Sequence, residues 1–240
     1  MSDSAQLNHT TDERIKKFSK LRKALIRPEL GGIVGTVAVF TFFLLFAYDS
    51  GMFNSRGVMN WSIVSAQFVI IAVGAGLLMI AGEFDLSVGS MIGFAGMMIA
   101  IFSVTLGWPV WVAIIVTFVM CQGVGALNGF IVIRTGLPSF IVTLAFLFIL
   151  RGLTIFLPQV IVRKTIIGGV KDVAEGDWLA VLFDGKILTG LFSWLGEEGL
   201  IATFERGTRA GQPIVSGVPM LIVWAIVLML FGHFLLTRTH

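Results

Sequence analysis

Charged side chains are scarce in this sequence of 240 residues, where Asp, Glu, Lys and Arg together make up 13% of the chain. Soluble domains contain about 25% of these residues. The shortage is greatest between Ser50 and Val160, where the charged residues are Arg56, Glu83, Asp85, Arg134 and Arg151. So long and apolar a stretch excludes a soluble enzyme, a disordered chain and a small secreted domain held by disulfides.

Cysteine and histidine are also rare. The single cysteine, Cys121, lies in an apolar run and indicates nothing about the redox compartment. The three histidines, His9, His233 and His240, lack the spacing of metal ligands. The sequence contains no G-x-x-x-x-G-K-[ST] motif, which excludes ATP binding by a P-loop, and no H-E-x-x-H or Ser–His pair typical of a protease. We therefore predict no catalytic residue, no metal site and no cofactor.

Long apolar runs dominate what the sequence does contain. A transmembrane helix needs about 20 apolar residues. Six stretches meet this requirement: Leu30–Tyr48, Trp61–Ala81, Leu86–Leu106, Trp108–Ile133, Pro138–Leu157 and Pro213–Leu236. The six prolines mark or flank the ends of these stretches, as expected for a residue that breaks a helix interior. The sequence therefore predicts an all-α, polytopic membrane protein with six transmembrane helices.

Positive charge at the N-terminus sets the predicted orientation. Seven of the 17 Lys and Arg residues precede residue 30, and such charge marks the cytoplasmic side of a membrane protein. Apolar residues recur among them at spacings of three and four: Ile15, Phe18, Leu21 and Leu25. This pattern predicts a basic amphipathic helix on the anionic inner leaflet rather than a nucleic-acid site, and a solvated tail is the alternative.

This orientation divides the chain into four parts. Residues 1–29 form the cytoplasmic basic tail, and residues 30–157 form a bundle of five transmembrane helices. Residues 158–212 form a periplasmic segment, which is too long for a simple turn. Residues 213–240 form the sixth transmembrane helix and a short cytoplasmic end.

Small residues line one face of the third span. At 100° per residue, an arc of about 80° contains Gly89, Gly93, Gly96, Ala100 and Ser103. Such faces let helices approach closely in lipid, so we expect a tightly packed bundle.

The fifth span carries an arginine, Arg151. It lies about 20 Å along the helix from Pro138, at 1.5 Å per residue. A charge at mid-membrane costs about 2.5–3.5 kcal/mol on insertion scales. Arg151 therefore either snorkels or makes a structural hydrogen bond, or it lines a transport pathway.

The connection between the second and third spans is unusual because it carries two carboxylates in the sequence Gly82-Glu83-Phe84-Asp85-Leu86-Ser87-Val88-Gly89-Ser90. Its glycines allow a tight reversal, and Asp85 is well placed as the N-cap of the next helix. A broken or re-entrant helix that lines a binding site is the alternative.

This connection resembles the G-x-x-D-L-S-V-G signature of permease subunits of ABC importers of the ribose/xylose/galactoside type. Three later stretches resemble the same family in the same order: Gly125-Ala126-Leu127-Asn128-Gly129-Phe130, then Leu137-Pro138-Ser139-Phe140-Ile141-Val142-Thr143-Leu144, then Leu150-Arg151-Gly152-Leu153. The longer outer segment is similar to that of the xylose-type subgroup.

The resemblance implies a bacterial inner-membrane permease that moves a pentose such as xylose or ribose by alternating access. It implies a permease homodimer in the lipid bilayer, separate ATPase subunits on the cytoplasmic face and a periplasmic sugar-binding protein. The candidate pathway residues that match the family motifs are Asp85, Ser87, Gly89, Asn128, Thr143 and Arg151. The family has about ten helices, so the sequence is expected to be the N-terminal part of a longer permease.

Two other functional classes are weighed against this one. A secondary transporter or channel would work without ATP, but the sequence shows no inward pair of acid and base for ion coupling. An intramembrane enzyme is disfavoured because no nucleophile–base pair is visible.

Overall fold

The computed structural model describes residues 28–204 and 210–238. The predicted basic amphipathic helix lies outside the described residues. The chain divides into two compact units, residues 1–54 and residues 55–240. In the first unit, helix α1 (Pro28–Phe46) is followed by a 3₁₀ turn at Tyr48–Ser50. Gly51 ends this turn in the left-handed conformation, with φ of 79°.

The second unit is a helical assembly with one small pair of strands. Its helices are α2 (Ser55–Ile80), α3 (Val88–Ala100), α4 (Val110–Thr135), α5 (Ser139–Val162), α6 (Val170–Val173), α7 (Trp178–Asp184), α8 (Thr189–Glu197) and α9 (Met220–Arg238). A π-helical turn, Ile101–Thr105, continues α3. Strands β1 (Lys186–Ile187) and β2 (Val218–Pro219) pair antiparallel, with Lys186 opposite Pro219.

Within the described residues, five helices are long and apolar enough to cross a membrane: α2, α3 with its π turn, α4, α5 and α9. Helix α1 adds a shorter apolar stretch, Leu30–Phe46. Large apolar side chains remain exposed on these helices, for example Ile133 at 86%. Apolar surface of this kind is what a helix presents to lipid. The predicted polytopic helical membrane fold is therefore confirmed, and its six spans agree with the five long helices and α1.

Helix packing in the second unit forms two groups. Helix α3 packs against α4 and α5, and the centre of this group is a buried apolar cluster of Phe94, Met98 and Leu150. Helix α2 packs along α9. The short helix α7 contacts both α4 and α9, and the Trp224 indole N–H of α9 donates to the Leu182 carbonyl of α7 at 2.9 Å.

The predicted helix boundaries differ from the observed ones in several spans. The second span starts at Ser55 rather than Trp61. The third span starts at Val88 rather than Leu86, and it changes to a π turn at Ile101, where the Leu106 N–H bonds the Ile101 carbonyl at 2.9 Å. The sixth span starts at Met220 rather than Pro213, because Pro213 bridges Thr203 and the next residues lead into β2.

The fifth span continues to Val162 rather than ending at Leu157, so Pro158 lies inside α5. Proline removes one backbone hydrogen bond from a helix. Here it does so in the last turns, where few bonds depend on it, and its ring is fully buried. Burial of the ring therefore offsets part of the lost hydrogen bond.

Candidate functional site

The first turns of α5 hold the connection between α2 and α3 by side-chain hydroxyl groups. The Phe84 N–H donates to Ser139 Oγ at 3.0 Å, and the Leu86 N–H donates to Thr143 Oγ1 at 3.1 Å. Gly82 reverses the chain before these bonds, with φ of 83°. Ser139 and Thr143 are four residues apart, so both lie on the face of α5 that meets the connection.

Thr143 uses both hydrogen-bonding functions of its hydroxyl group. Its oxygen accepts the Leu86 N–H, and its O–H donates to the Ser139 carbonyl at 2.9 Å. The residue is buried, with 5% of its surface exposed. A buried hydroxyl with both functions satisfied is a strong local constraint. The structure therefore gives this predicted pathway residue a positioning contact with the connection.

Asp85 and Ser87 form one hydrogen-bonded pair before α3. Asp85 Oδ1 accepts the Ser87 N–H at 2.7 Å and the Ser87 hydroxyl at 2.6 Å. Ser87 is fully buried, whereas Asp85 is exposed. The N-cap of α3 is Ser87, so the predicted N-cap position of Asp85 is wrong. The reason is that Ser87 already has helical backbone angles. Asp85 therefore binds the Ser87 N–H and hydroxyl in the turn that precedes α3, and not a backbone N–H inside α3.

An open groove of about 460 Å³ runs between α3 and α5 beside this cluster. Its lining is Leu86, Gly89, Ser90, Gly93, Leu147, Arg151, Thr154 and Ile155. Arg151 is exposed and is the charged residue of this lining. The two helices approach closely at Gly93, where an added Cβ would lie 3.8 Å from Thr154 Cγ2. We call this feature the α3–α5 groove.

The structure thus places five of the six predicted residues along the contact between α3 and α5, from the start of α3 to the middle of α5. Asp85, Ser87 and Thr143 belong to the hydrogen-bonded cluster, and Gly89 and Arg151 line the groove. Leu86 joins the two, because its N–H bonds Thr143 and its side chain lines the groove.

Asn128 stands apart from this site. It lies on α4, is 6% exposed and lines no part of the groove. Its Oδ1 is buried without a hydrogen-bond partner in the described part of the chain, as is Thr117 Oγ1, three helical turns earlier. Both polar groups lie inside the apolar packing of the helices, where an unpaired polar atom is costly.

The predicted small-residue face of α3 divides in two. Gly89, Gly93 and Gly96 are exposed, and an added Cβ at Gly89 or Gly96 would meet nothing within 4 Å. Ala100 and Ser103 are buried. The π turn begins at Ile101, after Ala100, so it does not account for this division.

Asp177 was not predicted from the sequence, and it joins the outer segment to a membrane helix. Its Oδ1 accepts the Leu179 and Ala180 N–H groups at 3.0 and 3.1 Å, which caps α7. Its Oδ2 accepts the Trp111 N–H in the first turn of α4 at 3.0 Å. Aspartate before an apolar run signals a cap, but nothing local in the sequence indicates the second helix.

The residues that the structure describes contain no group of His, Cys, Asp or Glu side chains that could hold a metal ion. The chemistry of the site is therefore that of hydroxyl groups, one guanidinium and two exposed or partly exposed carboxylates.

Comparison with known proteins identifies relatives over most of the chain. A family model described as "Branched-chain amino acid transport system / permease component" matches residues 57–240. The xylose transport system permease protein XylH of Escherichia coli (strain K12) is 42% identical over 231 residues, covering 86% of this chain and 58% of that protein. XylH of Haemophilus influenzae is 32% identical over 161 residues, covering 66% and 43%. The inner membrane ABC transporter permease protein YjfF of Escherichia coli (strain K12) is 34% identical over 121 residues, covering 50% and 37%.

The chain spans 58% or less of the length of these relatives. No solved structure matches it.

Proposed function

Because this chain belongs to the family of permease components of branched-chain amino acid transport systems, we propose that it is the membrane-spanning subunit of an ABC importer for a monosaccharide. The resemblance to sugar permeases that the sequence motifs predicted is confirmed by the identity with XylH. A pentose such as xylose is the proposed substrate class, since the XylH proteins are described as xylose permeases.

The observation that carries this proposal is the α3–α5 groove. Arg151 supplies N–H donors to it, and Ser90 and Thr154 add hydroxyl groups to an otherwise apolar lining. A sugar presents many hydroxyl groups that both donate and accept, so it needs such polar groups to replace its water. Ionisable residues inside membrane segments are costly and usually serve a pathway. The groove is therefore the proposed sugar pathway, with Asp85, Ser87 and Thr143 positioning its α3 wall.

The proposed assembly follows the predicted orientation. With residues 1–29 in the cytoplasm, the connection with Glu83 and Asp85 faces the cytoplasm, and residues 158–212 face the periplasm of the inner membrane. The acidic connection is then a candidate contact for a basic surface of separate ATPase subunits. The outer segment carries Glu197 and Glu198 and is a candidate contact for a sugar-binding protein. A second permease copy completes the pathway, and ATP hydrolysis is proposed to occur on the ATPase subunits.

Arg151→Lys tests the pathway. Lysine keeps the charge and snorkels as well as arginine, but it lacks the planar fork of donors. We expect xylose uptake by cells with the complete importer to fall about tenfold at unchanged membrane abundance. Arg134→Lys is the matched control, because Arg134 lies in the last turn of α4 and outside the groove lining. Normal uptake by the Arg151→Lys protein would assign Arg151 to snorkelling.

A second pair of variants tests the groove by volume. Nothing lies within 4 Å of a Cβ added at Gly89 or Gly96, and both glycines are exposed on α3. Of these two glycines, Gly89 lines the groove and Gly96 does not. Gly89→Leu should therefore reduce uptake, whereas Gly96→Leu should not. Equal effects of the two variants would contradict the proposed pathway.

The energy source is tested separately. Uptake by an ABC importer should stop when ATP is depleted and continue in the presence of an uncoupler. The opposite pattern would favour a secondary transporter.

A further inference from the structure

A second pocket, of about 450 Å³, lies between the start of α2 and the outer segment. We call it the α2 pocket. Helix α2 lines it with one face, because Arg56, Met59, Asn60 and Ile63 follow the spacing of residues on the same side of a helix. In this subsection the outer segment means the whole connection between α5 and α9, residues 163–219. It lines the pocket with Lys186, Phe204, Ile214, Val215, Ser216, Gly217 and Pro219. The pocket is therefore shared by a membrane-spanning helix and the segment beside that helix's first turn.

Arg56 is held at the rim by an aromatic ring. Its Cζ lies 4.8 Å from the centroid of the Phe204 ring, which is a cation–π distance. The guanidinium carries five N–H donors, with which it can bind an anion in the pocket. Arg56 also lies in the first turn of α2, which has no acidic residue. A cation there adds to the positive end of the helix dipole instead of compensating it.

Lys186 supplies the second cation from strand β1. Its Nζ donates to Ser216 Oγ at 2.8 Å, which orients the ammonium group and leaves two of its three donors. The lining of the pocket contains no carboxylate among the described residues. Two cations, a helix N-terminus and the amide of Asn60 therefore line one pocket, and the described part of its lining holds no counter-ion for them.

The remaining lining is apolar. Met59 and Ile63 continue along α2 from Arg56 towards the middle of the helix, and Ile214 and Val215 face them from the outer segment. A pocket with cations at a helix start and apolar groups further along matches an amphiphile. The headgroup phosphate of a membrane lipid lies at this depth, where spanning helices begin.

We propose that the α2 pocket binds an anionic phosphate group, with the phosphate between Arg56 and Lys186. The lipid headgroup is one source of such a group and free phosphate is the other. Bound phosphate neutralises both cations and ties α2 to the outer segment. This inference does not depend on the transported substrate and stands separately from the proposed function.

Lipid-dependent stabilisation of the purified 240-residue chain tests this inference. Unfolding is followed in detergent with added phosphatidylglycerol, with added neutral monoglucosyl diacylglycerol, or with inorganic phosphate. We expect phosphatidylglycerol to raise the melting temperature and the neutral lipid to leave it unchanged. In Arg56→Ala and in Lys186→Ala, the phosphatidylglycerol concentration needed for half of the shift should rise about tenfold, as a charge-assisted hydrogen bond is lost.

The control is the double variant Lys164→Ala/Lys171→Ala. It removes two exposed cations outside the α2 pocket and should keep the full lipid response. Protection by inorganic phosphate that is lost in the same two pocket variants would identify free phosphate as the source. Equal protection by the neutral lipid, or an unchanged response of Arg56→Ala and Lys186→Ala, would overturn the proposal. Native mass spectrometry of the same proteins gives a second measurement, because the pocket variants should retain fewer phosphatidylglycerol molecules than the control.

Discussion

The contact between α2 and α9 makes a testable prediction about Gly232→Ala. Whether this change lowers or raises the free energy of unfolding should depend on one neighbouring residue, Val73. Gly232 is a buried residue of α9, and a Cβ added to it would lie 2.9 Å from Val73 Cγ1 on α2. Favourable carbon contacts lie at about 3.5–4.0 Å. Valine in a helix is nearly fixed in one χ1 rotamer, so Val73 cannot turn its methyl group away cheaply. The helices must therefore move apart or Val73 must adopt a strained rotamer.

The expected free energies follow from two opposing terms. Overpacking a well-packed contact costs about 1–3 kcal/mol. Alanine is favoured over glycine in a helix interior by about 1 kcal/mol. Gly232→Ala should therefore lower the free energy of unfolding by about 0–2 kcal/mol in the natural sequence. When Val73→Ala has removed the offending methyl groups, the same change should instead raise it by about 1 kcal/mol.

Unfolding in mixed micelles of increasing denaturing-detergent fraction measures the four proteins of this double-mutant cycle. The coupling free energy between the two positions should be about 1–3 kcal/mol. Gly76→Ala is the control on α2, because nothing lies within 4 Å of a Cβ added there. It should be neutral or stabilising. A coupling near zero, or stabilisation by Gly232→Ala with Val73 intact, would refute the packing of α2 against α9 described above.

Three further predictions concern single residues. Asp177→Asn should keep the α7 cap but lose the bond to the α4 N–H. Asp177→Ala should lose both and lower the stability to thermal unfolding by about 0.5–2 kcal/mol or more. Equal stability of the two variants would contradict the role of Asp177 as an acceptor for both helices. Asp85→Asn keeps an acceptor for the Ser87 N–H, so it should assemble normally and transport nearly normally, whereas Asp85→Ala should be poorly assembled. Abolished uptake by an abundant Asn protein would instead make the Asp85 charge functional. For the orientation, a cysteine at Gly176 should react with an impermeant reagent in intact cells and one at Ser19 should not, and labelling of Ser19 would reverse the topology.

Hydropathy predicted the spans because a helix that faces lipid needs a long apolar sequence, whichever other helices it packs against. The boundaries that depend on distant pairing were not predictable in this way. Pro213 was predicted to start a span, but it forms a β-bridge with Thr203, and the helix begins only at Met220. No local pattern encodes that pairing.

At the candidate site, too, the residues were predictable from local sequence and their distant contacts were not. The motif residues Asp85, Ser87 and Thr143 were selected from the sequence, and the structure brings them together. Their contacts were not predicted, because the Leu86 N–H and its acceptor are 57 residues apart in the chain. Ser139 is part of a family motif, but no contact was predicted for it. Its hydrogen bond to the Phe84 N–H depends on how α5 packs against the connection.

The proline inside α5 has a chemical consequence for the groove. Pro158 follows Thr154 by four residues and has no N–H, so the helix supplies no donor from this position to the Thr154 carbonyl. Thr154 lines the groove together with Arg151, whose guanidinium only donates. The Thr154 hydroxyl already uses its proton, because it donates to the Leu150 carbonyl at 2.7 Å. The proline therefore leaves the Thr154 carbonyl, one turn from the arginine, without the N–H donor that an unbroken helix supplies.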